Sequence, residues 1–176
     1  NHAQALAYQG RLLGVPATVV MPKFAPLIKI NNCQKLGATV VLHGGDFAEA
    51  KARAHEIAAE QGLAYIDGYD DPAIIAGQGT AGLEIVAQVP DLDAVIVPVG
   101  GGGLLAGVSL AVKTLRPEVK IIAVEADHVA SFSAALREGK PTLVKTRPTL
   151  ADGLAIAQVG SNAFEIARQH TDKVLL

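Results

Sequence analysis

Residues 94–107 read Ala94-Val95-Ile96-Val97-Pro98-Val99-Gly100-Gly101-Gly102-Gly103-Leu104-Leu105-Ala106-Gly107, an apolar run, then four glycines, then a helical pattern. Because glycine has no Cβ, its backbone N–H groups can turn inward around an anion. The helix that follows would add the positive end of its dipole at the same place. The sequence therefore predicts a phosphate-binding loop between a buried strand and a helix.

Helical and strand patterns alternate along the rest of the chain with the spacing of βαβ units. We predict helices over residues 3–13, 26–36, 47–61, 72–88, 104–115, 130–137 and 162–169. We predict strands over residues 16–21, 38–43, 63–67, 94–99, 120–125 and 173–176. Most of these strands are apolar throughout rather than alternating, as expected when both faces of a sheet are covered. The fold class predicted is α/β with a parallel sheet and helices on its faces.

A Gly-Tyr-Asp-Asp-Pro run at residues 68–72 interrupts this alternation and predicts a domain boundary, with one domain at 1–67 and the other at 68–176. Side-chain caps of helices are predicted at Asn1, Asp46 and Asp71, and a capping box is predicted at Asn162 and Glu165.

Composition narrows the function classes. The chain has 176 residues, 15 Lys and Arg against 17 Asp and Glu, and a net charge of −2, so it has no electrostatic case for binding nucleic acid or an anionic membrane. No apolar stretch reaches the roughly 20 residues of a membrane span. The single cysteine, Cys33, lies on a predicted helix as a core residue and allows no intrachain disulfide, which favours a reducing compartment and a cytoplasmic location.

The chain opens on Asn1-His2, without an initiator methionine and already within a helical pattern. We therefore expect it to be part of a longer polypeptide.

Three kinds of phosphate ligand compete for the glycine loop, defined as Gly100–Gly103. A Walker A loop needs Lys followed by Ser or Thr after its last glycine, and Leu104-Leu105 stands there instead. A dinucleotide fingerprint fits better, because Gly101-x-Gly103-x-x-Ala106 has the right spacing and Glu125 ends the next predicted strand, where a ribose-binding acid would stand. Pro98 and Val99, however, make a wider turn than that fingerprint uses.

The third ligand is pyridoxal phosphate (PLP), whose terminal phosphate can be held by backbone N–H groups alone. Four consecutive glycines supply more converging donors than a pyrophosphate needs. The alternative without a ligand is a loop that merely lets the helix approach the strand, although each glycine costs about 1 kcal/mol relative to alanine.

Several segments, in the same order, resemble the serine/threonine dehydratases, which are fold-type II PLP enzymes. The matching segments are residues 97–107, Asn1-His2-Ala3-Gln4-Ala5, residues 69–72 with 75–80, and residues 149–155. Threonine dehydratases are the nearest branch and serine racemases the second. The resemblance implies two open, mainly parallel sheets with helices on both faces, of which residues 1–67 are part of a small mobile domain and 68–176 part of the large PLP-binding domain.

The same resemblance assigns roles to individual residues. Gly100–Gly103 and the Leu104 amide would bind the phosphate of PLP. Asn1 would bind the ring 3′-oxygen and, with His2, the substrate carboxylate. Tyr69 and Gly153 would lie near the cofactor.

A cation site is also implied, with Glu125 and the Val129 carbonyl as ligands of Mg²⁺ or Ca²⁺. The racemase branch has a second carboxylate where this chain has Ser131. Hard cations usually bind more than one carboxylate, so this departure weakens the expectation.

The resemblance implies PLP-dependent deamination of L-threonine or L-serine to a 2-oxo acid and ammonia, by a homo-oligomer when the protein is full length. The Schiff-base lysine is expected upstream of Asn1, so we expect no catalytic residue within residues 1–176 and no activity from this segment alone. Three alternatives remain: serine racemase activity, an NAD-binding Rossmann module, and a non-catalytic fragment.

Overall fold

The computed structural model describes residues 1–176, and its contacts divide the chain into two compact units, Asn1–Ile66 and Asp67–Leu176. The sequence predicts domains at 1–67 and 68–176. Their assignment as a small mobile domain and a large cofactor domain stays a prediction.

The first unit contains three helices and two short strands. These are α1 (His2–Leu13), β1 (Thr18–Met21), α2 (Leu27–Lys35), β2 (Thr39–Leu42) and α3 (Phe47–Gln61). The two strands pair in parallel, with Thr18 opposite Thr39. A small apolar core holds the unit together, formed by Ala7, Val19, Met21, Ile30, Cys33 and Ala38. Cys33 is fully buried there, as a core residue of α2.

Local sequence signals set most helix ends in this unit. Gly14 and Gly62 end α1 and α3 with φ of 67° and 65°, in the left-handed region that glycine adopts at little cost. Asp46 caps α3, because its Oδ1 accepts a hydrogen bond from the Glu49 N–H at 2.9 Å. Asn1 is the N-cap residue of α1, as predicted, although its side chain makes no capping hydrogen bond.

The strand predicted over 63–67 is also wrong. This segment is not part of either sheet, although its β-branched and aromatic residues suit a strand. A strand is defined by hydrogen bonds to a neighbour, and the two-stranded sheet contains only β1 and β2.

The second unit contains four helices and a three-stranded parallel sheet. Its elements are α4 (Pro72–Gln88), β3 (Ala94–Pro98), α5 (Gly103–Leu115), β4 (Lys120–Val124), α6 (Ser131–Glu138), α7 (Ser161–His170) and β5 (Lys173–Leu175), with short 3₁₀ turns at Asp127–Val129 and Asp152–Leu154. The strand order is β3-β4-β5, with Ala94 opposite Lys120 and Ile122 opposite Lys173. The predicted α/β class with parallel sheets is confirmed, and the ends of the predicted elements that form differ by at most two residues.

Glycines bring α4 and α5 into near backbone contact. A Cβ added at Gly107 of α5 would overlap the Ile75 carbonyl oxygen and lie 2.6 Å from the Gly79 nitrogen. A Cβ at Gly82 would lie 3.0 Å from the Val108 carbonyl oxygen. The two helices therefore approach each other only because these positions carry no side chain, and this fixes the direction in which α5 leaves the sheet.

The apolar core of this unit surrounds α5. Its largest fully buried side chains include Leu105, Ile121, Phe132 and Phe164, and the two phenylalanine rings meet edge to face with centroids 6.0 Å apart. No helix in the structure combines the length and apolar character needed to cross a lipid bilayer.

Candidate functional site

The glycine loop joins the carboxyl end of β3 to the amino end of α5. The Val99 N–H still follows the sheet, donating to the Val124 carbonyl at 2.8 Å, and α5 begins at Gly103. Gly102 turns the chain with φ of 92°, a conformation that a residue with a Cβ adopts only under strain. Gly101, Gly102 and Gly103 are buried, so this turn lies inside the unit rather than on its surface.

A row of backbone N–H groups in this loop has no acceptor from the protein. The first N–H of α5 to find one is that of Ala106, which donates to the Gly102 carbonyl at 2.8 Å. The hydrogen bonds of the structure use none of the N–H groups from Gly100 to Leu105. A buried backbone donor without a partner costs about 1–3 kcal/mol, so the free N–H groups of the buried Gly101–Gly103 favour an anionic ligand over a purely structural turn.

This donor row fits a phosphate group well. The positive end of the α5 dipole lies at the same place, and bound anions are stabilised there. The residues present therefore fit the phosphate of PLP without requiring a cationic side chain.

Tyr69 closes one side of the loop. A Cβ added at Gly101 would overlap the Tyr69 ring, and one at Gly103 would overlap the Tyr69 carbonyl oxygen. The structure thus brings Tyr69 against the loop, and its place near a cofactor stays a prediction. Gly101 and Gly103 therefore also have a packing role, because a side chain at either position would collide with Tyr69. The sequence analysis expected such glycines to let the helix approach the strand, whereas the neighbour that they admit is Tyr69.

Residues 153–160, here called the facing segment, close another side. A Cβ at Gly100 would lie 3.2 Å from the Gly153 carbonyl oxygen, and one at Gly102 would lie 2.7 Å from the Val159 side chain. The Gly160 N–H donates to the Gly101 carbonyl at 3.0 Å. Gly153 is therefore beside the loop, while the contacts at Val159 and Gly160 were not foreseen, because nothing in their spacing marks them.

Asp70 connects the start of α7 to this site. Its Oδ2 accepts from the Ser161 N–H and its Oδ1 from the Ala163 N–H, both at 2.9 Å. The capping box predicted at Asn162 and Glu165 is wrong: the Asn162 amide donates to the Asp70 carbonyl at 2.8 Å, and the capping carboxylate comes from 91 residues earlier in the chain. Sequence patterns detect caps only within a few residues, so this one could not be found.

Asn1 and His2 lie in the first unit. The Asn1 carbonyl accepts the Ala5 N–H at 2.9 Å, and the His2 Nε2 lies 3.1 Å from the Ile66 carbonyl oxygen. Because a carbonyl can only accept, this contact requires the proton of the neutral His2 ring to be on Nε2. Their roles toward cofactor and substrate stay predictions.

Glu125 is buried at 3% exposure and binds the start of α6. Its Oε1 accepts from the Phe132 N–H at 2.7 Å, and its Oε2 accepts from the Ser133 N–H at 2.8 Å and the Ser133 hydroxyl at 2.6 Å. Glu125 therefore anchors the amino end of α6. Both of its oxygens are used, which leaves it poorly placed to receive a ribose.

The predicted cation site has mixed support. No group of three or more His, Cys, Asp or Glu side chains is placed to hold a metal ion. Val129 is buried, and the buried Ser131 hydroxyl has no hydrogen-bond partner. Any cation at Glu125 would therefore depend on carbonyl and hydroxyl oxygens for its remaining ligands.

Cys33 and Asp172, both outside the site, have shifted pKa values. Burial raises the pKa of the Cys33 thiol, which makes it a poor nucleophile, as expected for a core residue. The Ile121 N–H, and then the Lys113 ammonium at 2.9 Å, lower the pKa of Asp172, which anchors the start of β5.

Comparison with known proteins gives a consistent result. The family model for pyridoxal-phosphate dependent enzymes matches residues 1–176. An L-threonine ammonia-lyase of Thermotoga maritima is 46% identical over 175 residues, which are 99% of this chain and 44% of that protein. The catabolic L-threonine dehydratase of Escherichia coli is 42% identical over 176 residues, which are 100% of this chain and 54% of that protein.

Solved structures agree. The processed form of threonine deaminase isoform 2 from Solanum lycopersicum superposes with a TM-score of 0.92 at 44% identity, over 100% of this chain and 51% of that one. The serine racemase of Dictyostelium discoideum superposes with a TM-score of 0.86 at 36% identity, over 99% of this chain and 56% of that one. The chain thus spans about half the length of the relatives it matches.

Proposed function

This chain belongs to the family of pyridoxal-phosphate dependent enzymes, and on that premise we propose that the protein containing it deaminates L-threonine or L-serine to a 2-oxo acid and ammonia. The observation that carries the proposal is the row of unpartnered N–H groups from Gly100 to Leu105 at the amino end of α5. The threonine ammonia-lyases and dehydratases that match nearly the whole chain support the choice of reaction.

The proposed roles follow from the placement of each residue. The N–H groups of Gly100–Gly103 and Leu104 bind the phosphate and fix the cofactor against the end of the sheet. Tyr69 and Gly153, which pack on either side of the loop, limit the space beside it and keep water from the donors. When bound, PLP supplies an electron sink for the charge left as a proton leaves the substrate α-carbon.

Asn1 and His2 are proposed to bind the cofactor ring oxygen and the substrate carboxylate. Support comes from their position at the amino end of α1, where the first backbone N–H groups of a helix are available to an anion. Asn1→Ala should then raise the KM for L-threonine. It should leave the free energy of unfolding nearly unchanged, because the Asn1 side chain makes no capping hydrogen bond.

The experiment is a direct assay of the protein that contains this chain, with PLP and L-threonine or L-serine; residues 1–176 alone, which should give no product, are the comparison. The proposal expects ammonia and a 2-oxo acid in a one-to-one ratio, since the hydroxyl group leaves as water and one water is consumed when the amino group is released. Release of neither product from either amino acid would refute the proposed reaction.

A second candidate is serine racemase activity, favoured by the structural match to a serine racemase. Its product is D-serine, formed without ammonia, so chiral chromatography of the same reaction mixture separates the two candidates. The dinucleotide alternative is tested by adding NAD, which should not compete with PLP.

We also propose a homo-oligomer located in the cytoplasm. Large apolar side chains exposed on α4 and α5, such as Leu83 at 49% and Leu110 at 43%, are of the kind that a second subunit covers. Light scattering on the protein would give the subunit number, and a monomer at assay concentrations would contradict it.

A divalent cation at Glu125 and the Val129 carbonyl remains part of the proposal. The unpartnered Ser131 hydroxyl supports it, while the three hydrogen bonds at Glu125 weigh against it. Calorimetric titration with Mg²⁺ and Ca²⁺ after treatment with a chelator is the test, and absence of binding at millimolar concentrations removes the cation.

A further inference from the structure

Asp70 holds the start of α7 with its whole side chain. The two carboxylate oxygens accept separate N–H groups, from Ser161 and Ala163, at 2.9 Å each. These are donors that a helix cannot satisfy within itself, and a carboxylate at that end is further stabilised by the helix dipole. The Asp70 carboxylate is therefore fixed at a defined position.

The backbone around Asp70 is fixed as well. The Asp67 Oδ1 accepts the N–H groups of Tyr69 and Asp70, both at 2.8 Å, which forms a tight turn over residues 67–70. Tyr69 in this turn packs its ring on Gly101 and its carbonyl on Gly103. The turn thus contacts the glycine loop directly.

Gly160 makes a second link between Asp70 and the loop. Its N–H donates to the Gly101 carbonyl at 3.0 Å, while a Cβ on it would overlap the Asp70 carboxylate. Its φ of −66° is one that any residue can adopt, so backbone conformation does not require glycine here. What requires glycine is the close approach of the Asp70 carboxylate.

We propose that Asp70 is a positioning residue for the glycine loop. It clamps the 67–70 turn to the start of α7, and the loop lies between the Tyr69 contact on one side and the Gly160 hydrogen bond on the other. The clamp keeps the N–H groups of the loop directed at one point, which is what binding a compact phosphate requires. This inference rests on the proposed function, since it concerns how the same site holds its ligand.

Asp71 provides a matched control. It is the next residue, it is also an aspartate at a helix start, and its Oδ1 accepts the Ala73 N–H at 2.7 Å. That hydrogen bond stays within the first turn of α4. Asp70→Asn and Asp71→Asn therefore remove the same charge from the same stretch, but only the first weakens the clamp.

The probes are pyridoxine 5′-phosphate and pyridoxine, which differ in the phosphate and lack the aldehyde needed for a covalent bond to lysine. Equilibrium dialysis with the protein should show that the wild type binds the phosphate form at least about 100-fold more tightly than pyridoxine. Asp70→Asn should lower affinity for the phosphate form about 10-fold and leave that for pyridoxine within about twofold, because pyridoxine has no phosphate for the donors of the loop to bind. Asp71→Asn should resemble the wild type.

Amide hydrogen exchange without ligand gives a readout that does not depend on the cofactor. Exchange of the residue-160 N–H, which donates to the Gly101 carbonyl, should accelerate in Asp70→Asn and not in Asp71→Asn. Gly160→Ala, which keeps the charge but displaces the carboxylate, should reproduce the Asp70→Asn result, and it serves as the second variant if Asp70→Asn does not fold.

The outcomes separate the two ideas. A wild type that does not prefer the phosphate form overturns the proposed function. A wild type that prefers it, with Asp70→Asn or Gly160→Ala unchanged in both binding and exchange, overturns the role of Asp70. An equal loss in Asp71→Asn also overturns it, because the loss would then reflect general weakening of the helix starts.

Discussion

Replacing Gly103 by alanine tests the glycine loop at its most constrained position. A Cβ there would overlap the Tyr69 carbonyl oxygen and lie 2.9 Å from the Tyr69 Cα. These are backbone atoms, so the overlap cannot be relieved by a rotamer change. Either the 67–70 turn or the loop itself has to move.

Two opposing contributions set the effect of Gly103→Ala on the free energy of unfolding, and a third contribution sets its effect on binding. Alanine is favoured over glycine within a helix by about 1 kcal/mol, and Gly103 is the first residue of α5. Overpacking in a buried region costs about 1–3 kcal/mol, which offsets or exceeds that gain. Loss of one well-aligned hydrogen bond to a charged phosphate costs a further 1.5–3 kcal/mol or so in binding, which is roughly a 10- to 150-fold weaker affinity.

The assay is binding of pyridoxine 5′-phosphate by equilibrium dialysis, alongside urea unfolding monitored by circular dichroism. Gly77→Ala is the control, because Gly77 is exposed on α4 and a Cβ there meets nothing within 4 Å. It should leave binding unchanged and raise the free energy of unfolding by about 0.5–1 kcal/mol.

Gly100→Ala provides the graded comparison. Its Cβ would meet its nearest neighbours at 3.2–3.3 Å, a tight contact that a few tenths of an ångström relieve. Binding should therefore weaken less than in Gly103→Ala. If Gly103→Ala binds as the wild type does, or if Gly100→Ala is the more severe change, the account of the loop is wrong.

Three further predictions concern the supporting structure. Gly107→Ala should lower the free energy of unfolding by about 1–3 kcal/mol in urea titrations, because its Cβ would overlap the Ile75 carbonyl oxygen; an unchanged midpoint would contradict the close helix contact. Glu125→Gln should lower the melting temperature, because an amide group replaces one of two acceptors at the start of α6; a melting temperature equal to that of the wild type would contradict this role. Because the pKa of Asp172 is lowered in the folded protein, its charged form stabilises the fold above the ordinary value of 3.8, and this stabilisation is lost as the pH falls through the lowered pKa. Asp172→Asn should therefore reduce the loss of stability at acid pH. An acid dependence equal to that of the wild type would contradict this.

The sequence predicted the fold well because its signals are local. β3 and β4 were recognised from apolar runs, and α3 and α4 from capping aspartates that act within three residues. The prediction of a strand over residues 63–67 was wrong because strand propensity does not indicate whether a neighbouring strand is present to pair with it. The predicted capping box at the start of α7 was wrong because the carboxylate that caps this helix belongs to Asp70, 91 residues earlier in the sequence.

The site was predicted only in part for a similar reason. The glycine loop, Tyr69 and Gly153 were predicted as site residues and the structure places all three together, while their roles toward a cofactor stay predictions. Val159 and Gly160 have no chemistry of their own to mark them, and they matter only through what they contact. Glu125 carried a recognisable signal, a carboxylate ending a strand, but three helix donors rather than a ribose occupy it.

The bond between Asp70 and Ser161 has a consequence for the order of folding. It spans 91 residues, while the hydrogen bond between Ile121 and Asp172 spans 51. Contacts that close long loops form late, because the entropy of closure must be offset by structure already in place. We therefore expect the 67–70 turn to dock on the start of α7 beside the glycine loop in the last stage of folding of this unit. Binding of pyridoxine 5′-phosphate during refolding would then appear only after the sheet has formed, which makes the ligand a kinetic reporter of the final step.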